Sequence, residues 1–248
     1  MVLGGHDFSR AVEMQERPAL AAEESREPQP DFHSLPSMLL LAIDTSGKDG
    51  SIALARCHAN DCRILGLAPL DGGAFSAQLV PQIAALLKTH GFTKHDIGAF
   101  AATSGPGSFT GLRVGLAAIK ALAEVLNKPI ATVSLLEAIA ASKPEPAIVA
   151  MDAGRKEIYL RQQDGPESLL TQEEFLTSAR SLLILTPDKA IADLARAAGL
   201  RVEDVPRPRG DAIARLGWKK IQSGQIVSPE ALDANYLRRS DQIFAKSS

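Results

Sequence analysis

The 248-residue sequence predicts an α/β protein: a mixed β-sheet with helices packed on it. Three observations carry that prediction. Three short apolar runs follow one another early in the chain, separated only by turn residues. Strand-like and helix-like patterns alternate after them, and the second half of the chain repeats that style of alternation in a worn form. The composition, 45% hydrophobic and 23% charged, is ordinary for a globular protein. Aromatic residues make up only 4%, so the core must rest on Leu, Ile, Val and Ala.

The elements follow in order. Met38 to Asp44 (MLLLAID) is continuously apolar, as in a strand buried on both faces. Thr45 to Gly50 is turn chemistry. Ser51 to Cys57 and Arg63 to Leu70 supply two further strands, completing an antiparallel meander. Phe75, Leu79, Ile83, Leu86 and Leu87 recur at helical spacing, with Gly91 as a stop. Pro81 falls inside that pattern; it either kinks the helix or marks the first turn of one that starts later. Ile97 to Thr103 is a strand, Ser108 to Leu126 a helix with Leu112, Leu116, Ile119, Leu122 and Leu126 in period, and Pro129 to Leu135 a fifth strand. The order is β-β-β-α-β-α-β.

Beyond it, Ala147 to Asp152, Glu157 to Gln162, Ser181 to Leu185 and Leu200 to Val205 read as strands. Asp188 to Ala198 and Asp211 to Ser223 read as helices, the latter carrying the only tryptophan, Trp218. The expected division is an extension over 1–37, a first lobe over 38–138 and a degenerate second lobe over 139–248. The extension carries three basic residues (Arg10, Arg17, Arg26) against seven acidic ones (Asp7, Glu13, Glu16, Glu23, Glu24, Glu27, Asp31), a net −4 against −2 for the whole chain. Four prolines interrupt it, and no apolar period runs through it, so it is expected to be disordered. Met38, directly at the first strand, is a second candidate translation start.

Several function classes lose support on these grounds. No apolar run is long enough to span a bilayer, and the extension lacks the apolar centre of a secretory signal. A net charge near zero gives no sign of a nucleic-acid-binding face. Cys57 and Cys62 flank a short hairpin loop rather than matching a zinc pattern, which places the protein in a reducing cytoplasm.

The most informative segment is Ser104-Gly105-Pro106-Gly107-Ser108-Phe109-Thr110-Gly111-Leu112-Arg113-Val114-Gly115, between a strand and a helix. Its spacing is one residue too long for the dinucleotide fingerprint, and it is neither a Walker loop nor a nucleophile elbow. Two readings stand from spacing alone. One is an anion site at Ser104, Gly105, Gly107 and Ser108, where a helix N-terminus offers free N–H groups. The other is a structural turn whose glycines serve packing. Small or apolar residues also recur on the two first-lobe helices: Ala77, Ala84 and Ala85 on one, Gly111, Gly115 and Ala118 on the other. Such rows let another helix approach closely, so they are the candidate partner surface.

Four segments in the same order carry a family resemblance: Leu41-Ala42-Ile43-Asp44-Thr45-Ser46, the Ser104 to Gly115 motif, Val133-Ser134-Leu135-Leu136-Glu137-Ala138, and Asp152-Ala153-Gly154-Arg155-Lys156-Glu157-Ile158-Tyr159. With the ending Tyr236-Leu237-Arg238, the chain from about Met38 to Asp241 resembles the TsaB family. It departs where many members have a histidine-serine pair at the start of the first helix; here the pair is Phe75-Ser76.

That resemblance implies an actin-like fold, shared with sugar kinases and heat-shock ATPases and related to ribonuclease H, in two lobes with the second degenerate. It implies a non-catalytic subunit of the machinery that makes threonylcarbamoyladenosine in tRNA. The implied partners are a TsaD-type catalytic subunit, a TsaE-type ATPase reached through the complex, tRNA indirectly, and a second copy of the chain when the sister is missing. The catalytic sister binds its metal through two histidines, and the matching positions here are Leu135 and Ile139, which have no lone pair to offer. No catalytic residue or metal ligand is therefore expected, and no cofactor of its own beyond an adenine nucleotide shared at the partner interface. The competing readings are a metallopeptidase-like enzyme and a nucleotide-binding, kinase-like enzyme of the same fold.

Overall fold

Two five-stranded sheets with one strand order organise the computed structural model, which describes residues 37–234 except 144, 164, 180 and 181. The expected disordered extension (save Ser37), the start of the strand predicted at Ser181 and the Tyr236-Leu237-Arg238 ending lie outside the described residues. The first sheet comprises β1 (Met38–Asp44), β2 (Gly50–His58), β3 (Asp61–Leu70), β4 (Ile97–Gly105) and β5 (Ile130–Ser134), in the order β3-β2-β1-β4-β5. β1 is antiparallel to β2 and parallel to β4. Its central place explains its unbroken apolar sequence, since Leu40 to Ile43 are buried from both faces.

Helices α1 (Phe75–Thr89) and α2 (Phe109–Leu126) cover one face of this sheet. Leu79, Ile83, Leu116 and Ile119 meet Leu41, Ile43, Leu54 and Phe100 in one apolar cluster. Of the two readings of Pro81, the structure adopts the first position for the helix start: α1 begins at Phe75 and runs through the proline. The cost is contained because Ala77 and Pro81 are both exposed, so water can reach the Ala77 carbonyl that lacks a helical donor.

The second sheet comprises β6 (Ala147–Gly154), β7 (Glu157–Gln162), β8 (Glu167–Thr171), β9 (Leu183–Thr186) and β10 (Val202–Asp204). Its order, β8-β7-β6-β9-β10, repeats that of the first, with β6 antiparallel to β7 and parallel to β9. Helices α4 (Gln172–Ser178) and α5 (Lys189–Ala197) stand where α1 and α2 stand in the first half. β8, α4 and α3 (Leu135–Ala140) were not foreseen, and the strand expected to reach Leu135 stops at Ser134, which caps α3.

The last helix of each half crosses to the other sheet. α6 (Gly210–Gln222) lies on the second face of the first sheet, packing Ile213, Ala214, Trp218 and Ile221 against Ala42, Ala53, Ala101 and Val133. α3 packs on β6, β7 and β9 as well as on β4 and β5.

Candidate functional site

The conspicuous loop between β4 and α2 is held against the turn that follows β1. Asp44 ends β1 with its side chain buried, and its Oδ1 accepts the Ser46 N–H at 3.0 Å and the Ser46 hydroxyl at 2.5 Å. The Ser46 carbonyl accepts the Ser108 N–H at 2.7 Å and faces the Arg207 guanidinium at 3.5 Å. A side chain at Gly107 would place its Cβ 2.4 Å from that same carbonyl oxygen, so the loop can come this close only with glycine. Ser108 then caps α2, its Oγ accepting the Gly111 N–H at 3.2 Å.

These bonds bear on what the loop can bind. Two donors that an anion would use, the N–H groups of Ser108 and Gly111, are already engaged within the chain. The four candidate anion-binding residues also divide between two places. Ser104 is buried at the edge of a cleft of about 520 Å³ lined by Thr132, Ser134, Glu137, Arg161 and Lys220. Ser108 borders a separate depression of about 420 Å³ with Gly47, Lys48, Ser76 and Thr110. Gly105 is buried and Gly107 exposed, and neither lines either cavity.

In the cleft, the Lys220 ammonium bridges Glu137 at 2.7 Å and donates to the Thr132 carbonyl at 3.0 Å, tying α6 to α3 and β5. On the same helix as Glu137, two residues to either side of it, Leu135 and Ile139 are fully buried in the apolar cluster with Val133, Met151, Leu185 and Trp218. Methyl groups fill the space there. Among the described residues, no group of three His, Cys, Asp or Glu side chains stands close enough together to hold a metal.

The candidate partner surface needs a correction. Gly111 and Gly115 are buried, and both face inward. A Cβ on Gly111 would sit 2.1 Å from the Thr45 carbonyl oxygen, and one on Gly115 would sit 2.2 Å from the Thr45 hydroxyl. Their smallness lets α2 press on the β1–β2 turn of its own domain, which removes them from any surface row. Ala77, Ala84 and Ala85 are exposed and Ala118 is half-buried. The residues that the periodic reading missed are Val80, 61% exposed, Val125, 77% exposed, and Phe109, 39% exposed beneath the Arg113 guanidinium at 3.6 Å. With exposed Ala117 and Ala121, Phe109 and Val125 continue a four-residue row along α2. That spacing is present in the sequence beside the larger leucine row that faces the core and dominates the helical period.

Comparison with known proteins bears on this site. A family model described as TsaD, tRNA N6-adenosine threonylcarbamoyltransferase, matches residues 70–228. The TsaB protein of Haemophilus influenzae, named for tRNA threonylcarbamoyladenosine biosynthesis, is 31% identical over 207 residues, covering 79% of this chain and 83% of that one. An uncharacterised protein of Mycobacterium bovis is 35% identical over 121 residues, 48% of this chain, and the match spans only 56% of that relative's length. The solved structure of YeaZ from Pseudomonas aeruginosa superposes with a TM-score of 0.64 at 22% identity, covering 81% of this chain and all of that one. The architecture of two five-stranded sheets with packed helices is therefore shared with a solved protein.

Proposed function

The chain belongs to the TsaB family, and from that premise we propose that it is a non-catalytic subunit in the formation of threonylcarbamoyladenosine on tRNA, paired with a TsaD-type catalytic subunit. The observation that carries the pairing is the exposed apolar ridge over α1 and α2, from Ala77, Val80 and Ala84 to Ala117, Ala121 and Val125. Exposed apolar side chains in rows on two adjacent helices suit a helical partner. In this reading a TsaE-type ATPase joins through the complex, tRNA is met mainly through the partner, and the ridge pairs with itself when the partner is missing. The work belongs to the cytoplasm, and an adenine nucleotide would be shared with the partner. The burial of Leu135 and Ile139 in the apolar core speaks against the metallopeptidase-like alternative.

The test is the double substitution Ala121→Glu with Val125→Glu. Both positions are exposed, so stability should stay within about 0.5 kcal/mol of wild type. Affinity for the TsaD-type subunit should fall roughly a hundredfold, about 2.7 kcal/mol. A folded variant that still co-elutes with that subunit at wild-type affinity would place the interface elsewhere.

A further inference from the structure

The β2–β3 hairpin holds a feature that the proposed function leaves unused. Cys57 and Cys62 are the chain's only cysteines, and they stand directly opposite one another across the antiparallel pair. Both are buried, both are free thiols, and their sulfurs are 2.7 Å apart. Directly opposed residues in an antiparallel pair have Cα atoms roughly 4.5–5.5 Å apart. A disulfide accepts roughly 4.4–6.8 Å. The backbone register therefore already satisfies what a bridge requires, and the side chains point to the same face.

We propose that Cys57 and Cys62 form a reversible disulfide across this hairpin when the protein meets a hydroperoxide. The Cys62 sulfur attacks one peroxide oxygen and the O–O bond breaks: that oxygen stays on Cys62 as a sulfenic acid, and the other leaves with a proton as water or alcohol. The Cys57 sulfur then displaces hydroxide from it; the S–S bond forms and the Cys57 proton leaves with the hydroxide as water. Two thiols are oxidised and one peroxide bond is reduced. A small thiol reverses the bridge by two exchanges and leaves as its own disulfide.

The surroundings assign the roles. Cys62 is held below the ordinary thiol range, first by its hydrogen bond with Cys57 and then by the Arg215 guanidinium. Cys57 is pushed up by the hydrogen bond with Cys62 and by burial. Arg215 Nη1 donates to the Cys62 carbonyl at 3.0 Å, which anchors the positive charge beside the attacking sulfur. Exposed His58 to Asp61 form the hairpin tip, so a small oxidant has a short path to Cys62. In a reducing compartment such a pair works as a transient sensor rather than as a permanent staple.

The bridge would also reach α6. The Ala59 carbonyl at the hairpin tip accepts the Trp218 indole N–H at 2.8 Å and the Gln222 amide. Trp218 is the only tryptophan, so its fluorescence reports on that contact.

The experiment treats the full reduced chain with hydrogen peroxide, quenches with N-ethylmaleimide under denaturing conditions, and reads intact mass. The expected product is monomeric, has lost two hydrogen atoms, takes up no maleimide, and returns to two labelled thiols after dithiothreitol. Trp218 emission should change and recover in step. Cys57→Ser should instead accumulate a sulfenic acid on Cys62, trapped by dimedone. Two maleimide-labelled thiols after peroxide, oxygen addition without a bridge, or a disulfide between chains would each overturn the proposal. Bridging with unchanged Trp218 emission would overturn its coupling to α6.

Discussion

The two sheets share a strand order, yet they hold their equivalent turns in different ways. In the first, buried Asp44 binds the Ser46 N–H, and the Ser46 carbonyl takes the Ser108 N–H at the start of α2. In the second, exposed Asp152 binds the Gly154 N–H at 2.8 Å, and the Asp152 N–H donates to the Asp188 side chain at the start of α5, also at 2.8 Å. The first half thus clamps the turn after its first strand, and the second half the end of its first strand, to the N-terminus of the second helix. The third residue after the cap is Gly111 in one half and Ile191, also buried, in the other. The first half has drawn its helix onto the turn until only glycine fits. The second keeps room for a branched side chain. The helices differ too: α1 and α2 have 15 and 18 residues, α4 and α5 have 7 and 9. One topology can therefore be held mainly by close packing or mainly by local bonds.

Substitutions that touch equivalent positions sharpen this contrast. Gly111→Val should have the largest effect, because the obstructing atom is the Thr45 backbone oxygen and cannot rotate away. It should cost about 3 kcal/mol in urea denaturation, at the upper end of what overpacking usually costs. A loss below 1 kcal/mol would mean that the two halves tolerate bulk alike. Next in size, Asp44→Ala strands the Ser46 N–H and hydroxyl in a buried site and should cost about 2 kcal/mol. Asp152→Ala, on the exposed counterpart, should cost about 0.5 kcal/mol. Equal costs in thermal unfolding would erase the distinction between a buried and a solvated clamp. Ser108→Ala should cost about 1 kcal/mol by removing the α2 cap.

The smallest effect concerns capping itself. α1 begins without a side-chain cap, whereas the much shorter α4 has a capping box of Thr171 and Glu174. A short helix gains little from packing, so its ends matter more. The Thr171 N–H and hydroxyl bond the Glu174 carboxylate at 2.8 and 2.9 Å and hold its pKa below the ordinary glutamate value. A depressed carboxylate stabilises the fold above its unfolded-state pKa, and that contribution is lost as pH falls through the folded-state value. Thr171→Ala should move the Glu174 titration, followed by carboxyl NMR, back up toward the ordinary value. No movement would show that the Thr171 hydroxyl takes no part in holding the charge, leaving that to the backbone N–H.

Much of the frame was legible along the chain. An unbroken apolar run predicted β1 with its observed ends, Met38–Asp44, because a strand buried on both faces has no polar alternation to blur. The α2 pattern predicted the helix, with Ser108 at its start, where the structure has the cap. The short elements escaped for a different reason. α3 and α4 span 6 and 7 residues, too few for a period to show, although Ser134 with Glu137 and Thr171 with Glu174 spell capping boxes. The direction of the α2 glycines was misread because spacing alone does not say which small residue faces in.

What the sequence determined by itself is local: strand and helix identity, caps and turns, set by side-chain periodicity and backbone preference within a few residues. Family membership was legible as well, since its motifs are short and ordered. Only the tertiary structure decided that Gly111 and Gly115 meet Thr45, that α6 crosses to the first sheet, and that Cys57 faces Cys62 beneath an arginine 153 residues away in sequence. Such contacts depend on how elements from distant parts of the chain share one core. Many segments could satisfy the same apolar face, and only packing the whole chain at once selects among them.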